Sequence, residues 1–349
     1  MKLSKKLKIV CLPPVSNKNP YQYLMMEGLK KNKKLHVITG FSSRYIGIIL
    51  SAIIFRPNYI HFDWINKYYL KKNAFISSIY IPWFFFQIFF ITKIMKINVV
   101  WTMHNLLPHD SKQIKINKYV QRFFINKCKW IRVFSHLTIP KVLEEYKIKN
   151  EKILAIPEGS YVGYYPNNIS EFEARKKMGL EKEKTFLYLG TIKPYKGITN
   201  LIKNFSKIRK DNVKLIIAGK VTNSDYLYKI NKCINNNSNI ILINRFIKTD
   251  ELQVFFNSAD AVILPFNNIE NSGSAILAMG FAKVIICPNL GVLPNRLKKQ
   301  TEFLYENDFI MKIKKVLDTD KIKLSKIGKM NLNELKKYKW SDFGNYFLN

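Results

Sequence analysis

Residues Ala259–Gly291 read ADAVILPFNNIENSGSAILAMGFAKVIICPNLG. The apolar run Ala261–Leu264 ends at Pro265, and a polar loop follows. Ser272-Gly273-Ser274 then opens an apolar helix that leads to a second apolar run, Val284–Cys287. Strand, loop, helix, strand is the unit of a parallel sheet. The polar loop stands at the carboxyl end of a strand, where open α/β sheets bind ligands. Gly273 lets backbone approach a ligand, and the first N–H groups of the helix have no intrahelical partner. With the positive helix end, they favour phosphate, diphosphate or carboxylate. A capped core helix of any α/β protein fits the same pattern.

Outward from this unit, the same alternation fills the chain. Apolar runs at 8–12, 36–39, 59–62, 99–103 and 131–134 predict strands in the first half, with helices over 21–31 and 45–55. Runs at 185–189, 213–218, 240–243, 261–264 and 284–287 do so in the second, with helices over 197–209, 224–235, 249–257 and 273–279. The fold class is therefore α/β, two Rossmann-like doubly wound domains in tandem that face a central cleft. Gly, Pro, Asn and Ser cluster over 157–170 and place the boundary there. The expected domains are 1–160, 161–335, and a last helix over 336–349 that crosses back to the first.

The balance of 58 basic against 24 acidic residues, net +34, suits anionic membrane, nucleic acid or phosphorylated substrates. Lysines spread over the whole chain, in a composition also rich in Asn and Ile, so coding bias explains much of the excess. Hydrophobic content of 47% with 14% aromatic excludes a disordered chain. Four scattered cysteines, Cys11, Cys128, Cys233 and Cys287, read as buried thiols of a reducing compartment. The opening lysines lead into a run too short for a secretory leader, so a cytoplasmic protein is expected. From Ala74 to Thr92 there are 19 residues without formal charge. Pro82, Gln87 and Ser77-Ser78 interrupt the run, and lysines flank both ends, which argues against a span. Its aromatics exceed what one helix face buries. A helix near 74–95 lying in the interface of an anionic inner-membrane surface is expected, making the protein monotopic.

All five histidines precede residue 137. His61 (HFDW), His104 and His109 (WTMHNLLPHD) and His136 (FSH) fall at or after strand ends, where function is expected, whereas His36 reads as a core residue. GTIKPYKG, Gly190–Gly197, places Lys193 and Lys196 at a strand-to-helix turn suited to a diphosphate. A solvated lysine pair satisfies the same spacing. Asp318-Thr319-Asp320 lies in a lysine-rich helical region and reads as surface.

Together these segments resemble GT-B glycosyltransferases, close to the family-four group that builds bacterial polysaccharides. GTIKPYKG is similar to that group's phosphate loop, and SGSAILAMGFAKVIICPNLG to its donor segment. HFDW and WTMHNLLPHD are similar to its acceptor-side strand ends, and KYKWSDFGNYF to its closing helix. The resemblance implies sugar transfer from a nucleoside diphosphate to an acceptor, often a lipid-linked glycan at the cytoplasmic membrane face, without metal or other cofactor. Nucleic acid is not an expected partner. Residues 1–160 become the acceptor side and 161–335 the donor side.

The donor set implied is Gly190, Lys193, Lys196, Glu270, Asn271, Ser272, Gly273 and Ser274. The group's second donor glutamate is replaced by Leu277, with Ile269 eight residues earlier, and its loop arginine by Thr191. Weight thus moves from carboxylates holding the sugar to N–H groups and Lys196 holding phosphate. On the acceptor side His61, Asp63 and Trp64 are expected. Asp110, His109 and Asp63 are candidates for an inverting base, with Asp110 first. A retaining enzyme would use the leaving phosphate, with His104 touching the donor sugar. Two alternatives stand beside the transferase: a nucleotide-sugar epimerase of the same fold, and a non-enzymatic basic membrane- or nucleic-acid-binding protein.

Overall fold

The computed structural model describes residues 6–16, 19–71, 73–106, 113–208 and 212–348. The chain divides into two compact units, Met1–Gly159 with Tyr338–Asn349, and Ser160–Lys337.

The first unit holds β1 (Leu7–Leu12), β2 (Leu35–Thr39), β3 (Tyr59–Phe62), β4 (Asn98–Thr102), β5 (Trp130–Val133) and β6 (Ile153–Ala155). They pair in the order β2-β1-β3-β4-β5-β6, all parallel. The second unit holds β7 (Lys184–Leu189), β8 (Val213–Ala218), β9 (Ile240–Ile243), β10 (Ala261–Ile263), β11 (Val284–Pro288) and β12 (Leu304–Tyr305). Their order is β12-β11-β10-β7-β8-β9, again parallel. In each sheet the chain winds outward from a first strand, then returns to that strand's other side. The reversals fall between β1 and β3, and between β7 and β10. Crevices at such points, beyond the carboxyl ends of the strands, are where doubly wound sheets bind ligands.

Strands covered on both faces are apolar at successive residues, and the pleat sorts them. Val10, Leu12, Ile60, Phe62, Val99 and Trp101 point into one layer, Ile9, Cys11, Tyr59 and Val100 into the other. The first layer is closed by α2 (Gly47–Phe55) and α4 (Ala74–Phe89), through Ile48, Ala52, Phe84 and Ile88. The second is closed by α1 (Pro20–Lys30), through Tyr21, Met25 and Leu29, together with Phe343 and Phe347 of the C-terminal segment. Each fully buried Phe contributes roughly 1.5–3 kcal/mol of hydrophobic transfer. Trp340 sits so close to Gly28 and Gly159 that a Cβ on either would lie 2.4 or 2.6 Å from it. Only glycine fits at both contacts.

α4 starts where Asn73 Oδ1 accepts the Phe75 N–H at 2.8 Å, and after Phe89 it runs into a π turn, Phe90–Ile94. Ser77, Ile81, Phe84, Ile88 and Ile91 form its buried stripe. Ile76, Ile79, Trp83, Phe86 and Phe89 are exposed. The helix is apolar on both sides, as the sequence predicts, and its outer side is uncovered.

One histidine departs from expectation. His36 is exposed, not core, because β2 is an edge strand and its alternate residues face out. Asp318 closes one helix and Asp320 caps the next by accepting the Lys323 N–H at 2.8 Å, which is a surface turn.

Candidate active site

In the first unit the reversal point between β1 and β3 gathers polar groups around one carboxylate. The Asp63 N–H donates to the Leu12 carbonyl at 2.8 Å, and the Trp101 indole N–H donates to the Asp63 carbonyl at 3.0 Å. These two bonds hold the residue just past β3. Its side chain is fully buried, with Oδ1 3.0 Å from His104 Nε2 and Oδ2 accepting from the Gln22 amide at 3.4 Å. Burial pushes the Asp63 carboxyl up. His61, the hydrogen bond with His104 and the Tyr21 hydroxyl outweigh that, so it lies below its ordinary value and is ionised.

His61 lies behind, its Nε2 2.8 Å from Thr102 Oγ1 and 4.0 Å from Asp63 Oδ1. Burial lowers its pKa to about 4 despite Asp63, so the ring is neutral near pH 7. An ionised carboxylate only accepts, so the hydrogen bond at 3.0 Å is donated by His104 Nε2.

The His104 ring stacks on Trp64 with centroids 4.4 Å apart, and Tyr21 meets it edge-on at 4.8 Å. Tyr21 is itself anchored by Arg132 Nη1, at 3.3 Å. The buried Arg132 also donates to the carbonyls of Ile156 at 3.0 Å and Pro157 at 2.8 Å. In front of His104 opens a pocket of about 90 Å³, lined by Asp63, Trp64, Asn66, Trp101, His104 and Asn105 among others. A polar floor with an aromatic wall suits a sugar, whose C–H faces stack on rings while its hydroxyls bond to amides.

In the second unit the segments after β7 and β10 meet. A Cβ on Gly197 would stand 2.1 Å from the Pro265 carbonyl oxygen, and Gly197 has φ 74°, so only glycine closes this contact. A Cβ on Gly190 would lie 3.5 Å from Ser274 Oγ, which brings the lysine loop beside the start of helix Gly273–Gly280. Lys196 Nζ lies over the Phe266 ring at 4.3 Å and the Tyr195 ring at 5.2 Å, and Lys193 is 5.9 Å from Tyr195. Ser272 caps the helix, accepting the Ala275 N–H at 3.1 Å. The Glu270 carbonyl accepts the Val292 N–H at 3.1 Å, fixing the loop from the far side. Six of the eight expected donor residues, Gly190, Lys196, Glu270, Ser272, Gly273 and Ser274, are thus tied to this one reversal point. Lys193 and Asn271 are their chain neighbours.

Of the residues expected in the first unit's site, the structure joins Asp63, Trp64 and His104. His61 supports them from behind and does not line the pocket. His136 is exposed in the turn after β5 and is not among the residues that line the pocket. His109 and Asp110 lie outside the described residues. Sequence reasoning missed Gln22, Asn66, Thr102 and Asn105, polar residues without a motif of their own. It also missed Tyr161, whose hydroxyl would lie 3.6 Å from a Cβ on Gly273. Among the described residues no group of three His, Cys, Asp or Glu side chains is placed to hold a metal ion.

Residues 170–330 match the family profile of the glycosyl transferases group 1. The chain is 20% identical over 299 residues to the GDP-mannose:glycolipid 4-beta-D-mannosyltransferase of Xanthomonas campestris pv. campestris, covering 85% of this chain and 78% of the relative. Among solved structures, sucrose-phosphate synthase from Thermosynechococcus elongatus superposes with a TM-score of 0.73 at 15% identity, covering 98% of this chain and 97% of that one. HepE of Anabaena, solved with UDP and glucose, gives 0.70 at 12%, covering 98% of each. Residues 170–330 thus carry a glycosyl transferases group 1 domain, and the chain is a glycosyltransferase with the GT-B fold.

Proposed function

We propose that this glycosyltransferase moves a sugar from a nucleoside diphosphate to a hydroxyl of a lipid-linked glycan, in surface polysaccharide synthesis at the inner face of the plasma membrane. The glycolipid acceptor named for the Xanthomonas relative and the UDP held by HepE support the two substrate classes. The uncovered outer side of α4 supports peripheral attachment. On the second unit, Lys196 and the first-turn N–H groups of Gly273 and Ser274 hold the diphosphate as a fixed positive field. On the first, the Trp64, Asn66 and Asn105 pocket holds the acceptor sugar.

The observation that carries the reading is the His104–Asp63 contact at 3.0 Å beside that pocket. With Nε2–H donating to the carboxylate, Nδ1 carries the lone pair and accepts the acceptor's hydroxyl proton. The acceptor oxygen then attacks the anomeric carbon. The bond from that carbon to the diphosphate oxygen breaks, and the nucleoside diphosphate leaves with the electron pair. Such a direct displacement inverts the anomeric centre. A panel of nucleotide sugars screened for thermal stabilisation identifies the donor, and turnover with that donor is then compared in wild type and His104→Ala. Loss of transfer with donor stabilisation retained is expected. Undiminished transfer, or a product that retains configuration, removes His104 as the base.

A further inference from the structure

α4 is not alone on its surface. Tyr45 and Ile46 lead into α2, and Ile53 and Ile54 on its outer side are exposed. The two helices are tied together there. The Trp83 indole N–H donates to the Tyr45 carbonyl, the Tyr45 and Tyr80 rings lie 5.4 Å apart, and Lys71 Nζ lies over both. Beneath, Ile48 and Ala52 of α2 share one core with Phe84 and Ile88 of α4. What faces out is therefore one apolar surface made of two helices. A single helix exposing an isolated apolar residue is ordinary, but a contiguous surface of this kind marks an interaction site.

Charge states the partner. From Gly28 to His109 the sole acidic residue is Asp63, and Asp63 is buried. Arg44, Lys67 and Lys93 are exposed at the edges of the apolar surface. Tyr45 and Tyr80 meet basic charge directly, with Lys71 Nζ over both rings, and Tyr and Trp are the residues of the interfacial belts of membrane proteins. We propose that α2 and α4 together form a docking face for an anionic lipid bilayer. The proposal rests on the peripheral attachment given above and deepens it, from one helix to a two-helix platform with a basic rim. Lys67 links platform and site: its Nζ lies 5.3 Å from the centre of the Trp64 ring, on α3 (Asn66–Tyr69), the short helix that joins the acceptor pocket to α4. Docking through this face brings the pocket's own connecting segment to the lipid surface, where a lipid-linked acceptor resides.

The test is co-flotation of the full chain with vesicles of phosphatidylcholine alone, or mixed in equal parts with phosphatidylglycerol. Wild type should float with the mixed vesicles and much less with the neutral ones. Ile53→Ser with Ile54→Ser, and separately Ile79→Ser with Phe86→Ser, should each weaken binding about tenfold or more, without lowering the thermal midpoint, because these side chains are exposed. Arg44→Glu with Lys93→Glu gives a second route that leaves the apolar side chains in place, and should abolish the preference for phosphatidylglycerol. If the α4 pair weakens binding and the α2 pair does not, the two-helix face is overturned while peripheral attachment stands. If wild type floats with neither vesicle, attachment itself fails. Self-association abolished by the same variants, without vesicle binding, assigns the surface to a second copy and overturns the proposal.

Discussion

His104 Nε2 lies 3.0 Å from Oδ1 of Asp63, a fully buried carboxylate at the reversal point between β1 and β3. In the proposed mechanism Asp63 orients the imidazole and offsets its charge once it takes a proton. Asp63→Asn keeps the shape but loses the charge, and its amide can present an N–H to Nε2 and favour the wrong tautomer. We expect kcat to fall by about 10²- to 10⁴-fold with the donor KM unchanged, since the donor residues belong to the other sheet. Steady-state kinetics decide it. A fall in donor affinity with kcat preserved would contradict the positioning role.

Ten of the twelve strands among the described residues were legible in the sequence because strands of parallel sheets, buried on one or both faces, make apolar runs. β6 and β12 were not, being edge strands of three and two residues, shorter than any pattern can show. The two strand-to-helix turns at Gly190–Gly197 and Ser272–Ser274 were legible too, because glycines and a capping serine answer backbone demands that recur wherever a strand turns into a helix. The pairing of Asp63 with His104 was not. Its members sit 41 residues apart and meet only through strand order, as do Gln22 and Thr102. His36 was misread for the converse reason, since an edge strand and a central strand look alike until their neighbours are known.

Gly273 offers a way to separate packing from ligand approach. A Cβ there meets only Tyr161, at 3.6 Å and beyond, which is ordinary contact. Gly273→Ala should therefore fold normally and leave the thermal midpoint within a degree or two. If a diphosphate rests on this helix start, the added methyl stands in its place and donor affinity drops about tenfold or more. Lys196→Ala should weaken donor binding similarly and also slow turnover, through loss of leaving-group stabilisation. Equilibrium binding of the donor by both variants at wild-type strength would place the diphosphate elsewhere.

Gly197 is the opposite case. At φ 74° and 2.1 Å from the Pro265 oxygen, an added Cβ must displace one of the two loops that hold the proposed donor residues. Gly197→Ala should cost about 2 kcal/mol or more in stability, from the left-handed backbone and the clash together, and should weaken donor binding with it. Chemical denaturation alongside donor titration checks both. A variant as stable as wild type would mean the loops are not in contact in solution.

His61 supplies a pH signature. Burial holds its imidazole neutral and lowers its pKa to about 4 from an ordinary 6.5, with Asp63 the one charge favouring the proton and Arg132 and His104 opposing it. A folded value below the unfolded one means the unfolded chain binds the proton first. The stabilisation from keeping His61 neutral is complete above pH 6.5 and is lost as pH falls towards 4, by about 3 kcal/mol in all. Asp63, lowered from 3.8, and glutamates lowered from 4.5, such as Glu251, add their own losses towards the acid end, so the difference between wild type and a His61 variant reports His61. His61→Gln keeps a hydrogen-bonding side chain near Thr102 and removes the titration. Urea midpoints should fall across that interval in wild type and fall much less in the variant, whatever their absolute values. Parallel slopes in the two proteins would show that His61 is not the group that takes up the proton.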